Sequence, residues 1–536
     1  MASTAGTETS NRTARGTRAA AAVVTALGLV GTASACGGDT SAGGPGGSTV
    51  VVAVAGDPGS LSPTTSLVST ALAMNSFAYD TLVHIGADGS LIPGVAEKWS
   101  ATTTSATFTI RPGVTCEDGS ALTAEDVAAE YNHLADPKNQ SPMLGLSVPV
   151  TAVAKADKAA RTVTVTTTKP APFIVQMARL LPLLCEKSLA TPTALARTTD
   201  ASGPYRLTEA VPGDHYTYAK RDGYTWGPRG STGADLPGKV VVKVVANEST
   251  AANLLMGGQI NVALVNGADQ DRLDAAKVKN RSTEALFGQL LFNQAAGRPT
   301  AELAVRKALV SVLDLKQLGS VATGGKGRPP TGIGENAPTP CSGDTVTGNL
   351  PAHDTAKAAA ALTGAGWTKS GGTWTKDGEP LAVQLSYATN QGPQVGSAVE
   401  LAVQQWTSFG VKATAKPRGS GSIVSTLAGG DWDIAWAPIG VTLPDQLTQF
   451  YDGPPPPKGN NFGSVVNPEY HRLAAQASAR PGADGCALWA AADAALVKNI
   501  DIVPVVSKAI RYYAKGATFE VDGSGIVPST LRRSAD

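Results

Sequence analysis

Apolar and polar positions along this chain follow two periods, and together they assign most of its elements. Across residues 107–111, Phe108 and Ile110 stand between Thr107, Thr109 and Arg111, the alternation of a strand with one buried face. Residues 162–167 alternate in the same way. Residues 49–55 are instead a run of mostly β-branched residues, which predicts a buried first strand. The helical period appears where Val127, Tyr131 and Leu134 recur, again at Val305, Leu309 and Leu313, and across residues 71–82. A strand over 381–388, a helix over 395–409 closed by Gly410, and a strand over 411–415 form a β-α-β succession, which predicts an α/β lobe.

Local turn chemistry sharpens one stretch, residues 91–132. Pro112-Gly113 and Asp118-Gly119 turn the chain twice, because proline presets φ and glycine accepts positive φ. Thr123 then caps a helix whose first turn carries Glu125 and Asp126, where the helix dipole favours anions. Strand, double turn and capped helix follow in that order. Residues 319–347, rich in Gly, Pro and Thr, read as a long ordered loop held by Cys341, and Pro454 to Pro457 as a stiff exposed one.

Composition narrows the function classes. A chain of 536 residues predicts two or three folding units. Only 16% of residues are charged and the net charge is +1, so neither a basic surface for nucleic acid nor an acidic solvating tail is expected. H-E-x-x-H, G-x-S-x-G and C-x-x-C are all absent, and the five histidines are scattered, so no catalytic residue, metal site or cofactor is assigned. Gly324-Gly325-Lys326-Gly327 lacks the Ser or Thr that completes a phosphate loop. His215, in a strand pattern, reads as a surface histidine, and Arg306 as structural.

The first 35 residues read as a targeting segment, with Arg12, Arg15 and Arg18 before an apolar run at 19–30 too short to span a bilayer. Ala33-Ser34-Ala35 then precedes Cys36 and Gly37-Gly38. This resembles a bacterial lipobox, with Ala33 where Leu is usual. It implies that Cys36 becomes a lipidated N-terminus on the outer face of the membrane. Residues 36–48, rich in Gly and Ser, are then a flexible tether. Setting Cys36 aside leaves Cys116, Cys185, Cys341 and Cys486. In an exported protein they form two bridges, for which sequence leaves three pairings open.

Longer motifs carry a resemblance. Pro93-Gly94-x-Ala96-Glu97-x-Trp99 is followed by Phe108-x-Ile110-Arg111-Pro112-Gly113-Val114, and then by Asp118-Gly119-x-x-x-Thr123-Ala124-Glu125-Asp126-Val127. Gly203-Pro204-Tyr205, Leu290-x-Phe292-Asn293, Ala365-Gly366-Trp367 and Asp431-Trp432-Asp433-Ile434-Ala435 come later in the same order. The series resembles the extracellular solute-binding proteins of family 5, the dipeptide-, oligopeptide- and nickel-binding proteins of ABC importers, from about residue 49 to 516.

The resemblance implies a two-lobed α/β fold of the periplasmic-binding-protein type, hinge-linked, with an extra domain inserted in the first lobe. Residues 49–85, 203–300 and 505–536 are expected to form the first lobe, 86–202 the insertion and 301–504 the second lobe. Bridges Cys116–Cys185 and Cys341–Cys486 are expected, because each then staples one lobe. The implied function is capture of a small solute, peptide or peptide-like, between the lobes and its delivery to a membrane permease, with no covalent chemistry. The implied partners are the solute, the permease subunits and the bilayer through acylated Cys36, with the protein itself a monomer. Candidate cleft residues are Ser69, Asn293, Tyr387, Asn390, Trp436, Thr442 and Asp445. Peptide-binding relatives carry an amine-pairing carboxylate in the loop after residue 436, and its expected position here falls on Thr442. Alternatives are an oligosaccharide or nickel-chelate binder, or a surface receptor or enzyme on the same fold.

Overall fold

The computed structural model describes residues 49–534 apart from Leu67, Ala87, Ala190, Ala201, Glu335, Ala337, Ser420, Gly421 and Ser524. The targeting segment, Cys36 and the tether lie outside the described residues. Among the described residues, no helix is long and apolar enough to cross a membrane.

One sheet of eleven strands runs through the molecule. At one end the β-branched strand Thr49–Val54 lies between Lys239–Val244 and Val262–Leu264, parallel to both. His215–Lys220 and Tyr205–Val211 extend that edge antiparallel. At the other end Ile434–Trp436, Ala382–Ala388 and Lys412–Arg418 run parallel, with the helix Pro393–Phe409 packed on them. Two long antiparallel strands, Lys279–Phe292 and Ile502–Ala514, join the ends. Ile502–Ala514 pairs with Val262–Leu264 on the first-lobe side, and Lys279–Phe292 pairs with Ile434–Trp436 on the second-lobe side. The fold is thus two α/β lobes sharing a two-stranded waist.

The waist has a break. Register shifts at Leu286/Gly288 and Gly288/Gln289, and Val506 sits there among glycines. A Cβ on Gly288 would lie 2.9 Å from Val506 Cγ1 and 2.6 Å from the Trp436 ring, and one on Gly319 would lie 3.0 Å from Val506 Cβ. A Cβ on Gly327 would also collide with Val506. Gly319 is part of the helix Leu315–Thr323, so the expected loop over 319–347 begins later than its composition indicates. The glycine there serves close helix–strand packing rather than a turn.

The stretch 91–132 folds as its turn chemistry predicts. Gly113 and Gly119 both adopt positive φ. Thr123 Oγ1 accepts from Asp126 N at 3.2 Å while Thr123 N donates to Asp126 Oδ2 at 2.7 Å, a reciprocal cap that satisfies orphan groups at the start of helix Ala124–Ala135. Val127, Tyr131 and Leu134 are all buried. This helix covers a four-stranded antiparallel sheet made of Ala96–Ala101, Ser105–Ile110, Thr162–Thr166 and Val153–Asp157. Cys116 is bonded to Cys185 across 69 residues, and Cys341 to Cys486 across 145.

Arg306 is buried and donates to the carbonyls of Thr300, Ala301, Asn499 and Ile500, beside Asp501 at 3.5 Å. It ties the helix Leu303–Val312 to the start of the waist. The lobes also meet at a rim away from the waist. Gly482 N donates to Pro172 O at 2.8 Å, and the Phe173 and Trp489 rings lie 6.4 Å apart.

Candidate functional site

A cavity of about 380 Å³ lies between the lobes, within the size range of small-molecule sites. Its first wall begins with the helix Ser69–Ala78. Ala71, Met74, Phe77 and Ala78 are buried, and all but Ala71 join the first-lobe core, while Ser69, Leu72, Asn75 and Ser76 line the cavity. Helical spacing over 71–82 predicts a longer helix. Instead Tyr79 turns extended, its N–H donating to Asn75 O at 2.8 Å, and Gly203 N donates to Ala78 O at 2.7 Å. Any side chain on Gly203 would strike the Ala78 carbonyl, so the close approach that ends the helix requires glycine there.

That ending delivers Asp80 to the cavity, 3% exposed. Thr81 N donates to its Oδ1 at 2.8 Å, Tyr224 OH to its Oδ2 at 2.9 Å, and His84 Nε2 lies 2.8 Å from Oδ1. Burial alone would lower the pKa of His84. The charge and hydrogen bond of Asp80, with Asp522 behind it, outweigh burial and raise it, which favours the imidazolium. Burial, then Asp80, pushes the Tyr224 phenol well above its ordinary range, so it remains a donor. Arg179, from the turn Ala178–Leu180, is buried at the same wall. Burial lowers its pKa and Asp522 opposes that shift. The wall therefore sets the basic side chains of His84 and Arg179 against the carboxyl groups of Asp80 and Asp522. Leu180, Pro182, Met143, Leu146 and Ile526 supply its apolar surface.

The second wall is a loop, Gly440 to Thr442, with Gln446 beneath it. Val441 N donates to Gly334 O at 2.9 Å and Asn336 N to Val441 O at 2.7 Å, which pins the loop to its neighbour. Gln446 Oε1 accepts from Thr442 N at 3.1 Å and Leu443 N at 3.2 Å. Both amide atoms of Asn75, which is 2% exposed, and Gln446 Nε2 line this region sheltered yet without a hydrogen-bond partner among the described residues. Beside Gln446, Asp445 Oδ1 is likewise unpartnered. Burial, against two backbone N–H groups, pushes its carboxyl up to about 7.

Of the candidate residues, the structure brings Ser69 and Thr442 together across this cavity. Asp445 follows the same loop but is not part of the lining. Asn293 is buried and donates to Gly430 O at 3.1 Å and Trp432 O at 2.9 Å, which fixes the turn before Ile434–Trp436. Trp436 is fully buried in the second-lobe core, and Tyr387 packs on that core from the adjacent strand. The side chain of Asn390 lies outside the described residues. Asn75, His84, Arg179 and Gln446 carry no motif, whereas Asp80 lies in Tyr79-Asp80-Thr81-Leu82-Val83, a run that resembles one of the family's. A further signal was Asn75 itself, a polar residue among Ala71, Met74, Phe77 and Ala78 in a helix of apolar period. Among the described residues, no group of three or more His, Cys, Asp and Glu side chains is placed to hold a metal ion.

The family model for bacterial extracellular solute-binding proteins, family 5 Middle, matches residues 90–456. Protein XP55 of Streptomyces lividans is 29% identical over 381 residues, covering 69% of this chain and 67% of that protein. The nickel-binding periplasmic protein of Escherichia coli is 26% identical over 328 residues, 58% of this chain and 60% of that one. Among solved structures, a substrate-binding protein from Microbacterium hydrocarbonoxydans, complexed with 4-hydroxybenzoate hydrazide, superposes with a TM-score of 0.72. It is 26% identical, covering 91% of this chain and all of that one.

Proposed function

The chain belongs to the bacterial extracellular solute-binding proteins of family 5, binding proteins of ABC transporters rather than enzymes, and from that premise we propose that it captures a small peptide-like solute in the cavity between its lobes. The observation that carries this reading is the balance of the first wall, where His84 and Arg179 face Asp80 and Asp522 amid apolar side chains. An ion sealed in such a space needs a surplus of opposite charge. A wall already balanced suits a solute that is neutral overall, with an apolar body and a few polar groups. The compound bound by the Microbacterium protein, an aryl hydrazide, is of that kind. Ser69 and Thr442 contact the solute from the two sides. In this reading Asn293, Tyr387, Trp436 and Asp445 support the walls from behind, and Asn390 remains a candidate contact.

The rest of the proposal concerns delivery. Residues 49–85, 203–300 and 505–536 make the first lobe, 86–202 its insertion and 301–504 the second lobe, and closure about the waist buries the solute. Acylated Cys36 and the tether 36–48 hold a monomer outside the cell, where the closed form docks on a permease. A metal chelate with free carboxylates is the second reading, favoured by Arg179 and His84 on one wall and by the name of the Escherichia coli relative.

Native mass spectrometry of the purified chain, followed by thermal-shift screening of dipeptides, aryl amides and nickel chelates, tests this. A ligand at a hundred times its Kd should stabilise the protein by about 2.7 kcal/mol. Thr442→Trp, which fills the cavity, should abolish that gain. A ligand that binds Thr442→Trp as well as the parent protein sinks the site.

A further inference from the structure

Helix Ser69–Ala78 presents an apolar face to the core, yet at position 75 it keeps an amide where leucine would match its neighbours. Both atoms of that amide, one donor and one acceptor, are sheltered from water and have no partner among the described residues. A protein gains nothing in stability by leaving such a group unmade; removing it in favour of an apolar side chain is neutral or favourable. The second wall repeats the feature. Gln446 Oε1 is engaged by Thr442 N and Leu443 N, so the orientation of its amide is fixed by two backbone donors, and Nε2 is left without a partner among the described residues. The two residues stand on opposite lobes and both line the one cavity. Neither is charged, so neither is suited to a carboxylate or an ammonium.

We infer that the solute carries a carboxamide-type group, a carbonyl bearing an N–H, and that Asn75 and Gln446 read it from the two lobes. Asn75 Oδ1 accepts the solute N–H, Asn75 Nδ2 donates to a solute oxygen, and Gln446 Nε2 donates to the carbonyl from across the cavity. Peptide bonds, primary amides and acyl hydrazides share this chemistry; ketones lack the N–H and carboxylates replace it with charge. Recognition by both lobes also links this group to closure, because one ligand then bridges residues of both lobes. The inference rests on the cavity being the solute site, and it specifies what that site selects.

Isothermal titration with three matched probes separates the alternatives: benzamide, acetophenone and benzoate share one ring and differ in the group beside it. The parent protein should bind benzamide at least tenfold more tightly than the other two. Asn75→Leu should reduce that preference below threefold while the melting temperature of the unliganded variant stays level or rises. Gln446→Glu, which keeps an acceptor for Thr442 N and Leu443 N but removes the Nε2 donor, should reduce it as well. A structural role for the Asn75 amide would instead lower the melting temperature of Asn75→Leu. The inference is overturned if benzamide shows no preference, if the preference survives both substitutions, or if native mass spectrometry finds a trapped solute with no N–H beside a carbonyl. That last result leaves the cavity reading intact. Binding of all three probes to Thr442→Trp at parental affinity overturns the cavity reading itself, and this inference with it.

Discussion

Asp80 on the first-lobe wall has both carboxylate oxygens engaged, by Thr81 N, His84 and Tyr224, whereas Asp445 behind the second-lobe wall keeps Oδ1 without a partner among the described residues. The two walls also differ in how they are built, although each keeps an unsatisfied amide, Asn75 on the first and Gln446 on the second. The first is a helix end locked by Gly203 and a chain of paired charges. The second is a loop and one short turn, whose polar side chains are oriented by the backbone. In the proposed capture, such a division places preorganisation on one lobe and adjustment on the other.

The largest expected effect comes from breaking the finished wall. Asp80→Ala leaves His84 and Tyr224 without their buried acceptor and should destabilise the protein by about 3 kcal/mol in urea unfolding. Burial then dominates His84, so its imidazole pKa should fall below the ordinary value of 6.5 in an NMR titration. An unchanged His84 titration would remove the pairing from the account.

Next in size is the second wall's acid. Asp445 has a folded pKa of about 7 against an ordinary 3.8, so the folded chain holds a proton that the unfolded chain releases. Stability is then greatest below pH 3.8 for this group, declines as pH rises toward 7, and levels off above it. Asp445→Asn should remove the decline and raise stability at pH 8 by about 3 kcal/mol. Parallel pH–stability curves for the two proteins would refute the burial argument.

The smallest effect concerns the link between the lobes. Lys326, just past helix Leu315–Thr323, lies 2.7 Å from Asp271 in the first-lobe helix Asp269–Ala275. Asp271 is largely exposed, so Lys326→Met should change unfolding free energy by under about 1 kcal/mol. It should still increase the radius of gyration of the unliganded protein in X-ray scattering. Identical scattering would show that the pair does not bias closure.

Sequence pattern revealed the elements where a single period dominates. The alternation at Phe108 and Ile110, the cap at Thr123 and the helical stripe through Val127 all appear in the structure, because local propensity and burial agree there. The waist was only partly legible. Leu290 to Asn293 reads as a short strand, while Lys279–Phe292 runs for fourteen residues, since its first half is polar and partly exposed and shows no buried face. The cavity was least legible. Ser69 and Thr442 were reachable through the resemblance, but Asp80 and His84, Arg179 and Tyr224 come from three separated segments that only the tertiary fold assembles. Trp436 ends one family-like strand and Asn293 follows another, yet Trp436 turns into the second-lobe core and the Asn293 amide is tied to the carbonyls of Gly430 and Trp432.

Val506, with Gly288, Gly319 and Gly327 closing around it, acts like a ball in a shallow cup on the spine of a book. With only hydrogen atoms on those glycines, the proposed closure would swing the covers without dragging a bulky neighbour across it. The paired strands on either side resist sliding, which would restrict that travel to one arc. Two covers on one spine would then shut to a single outline, the one the proposed permease would have to recognise.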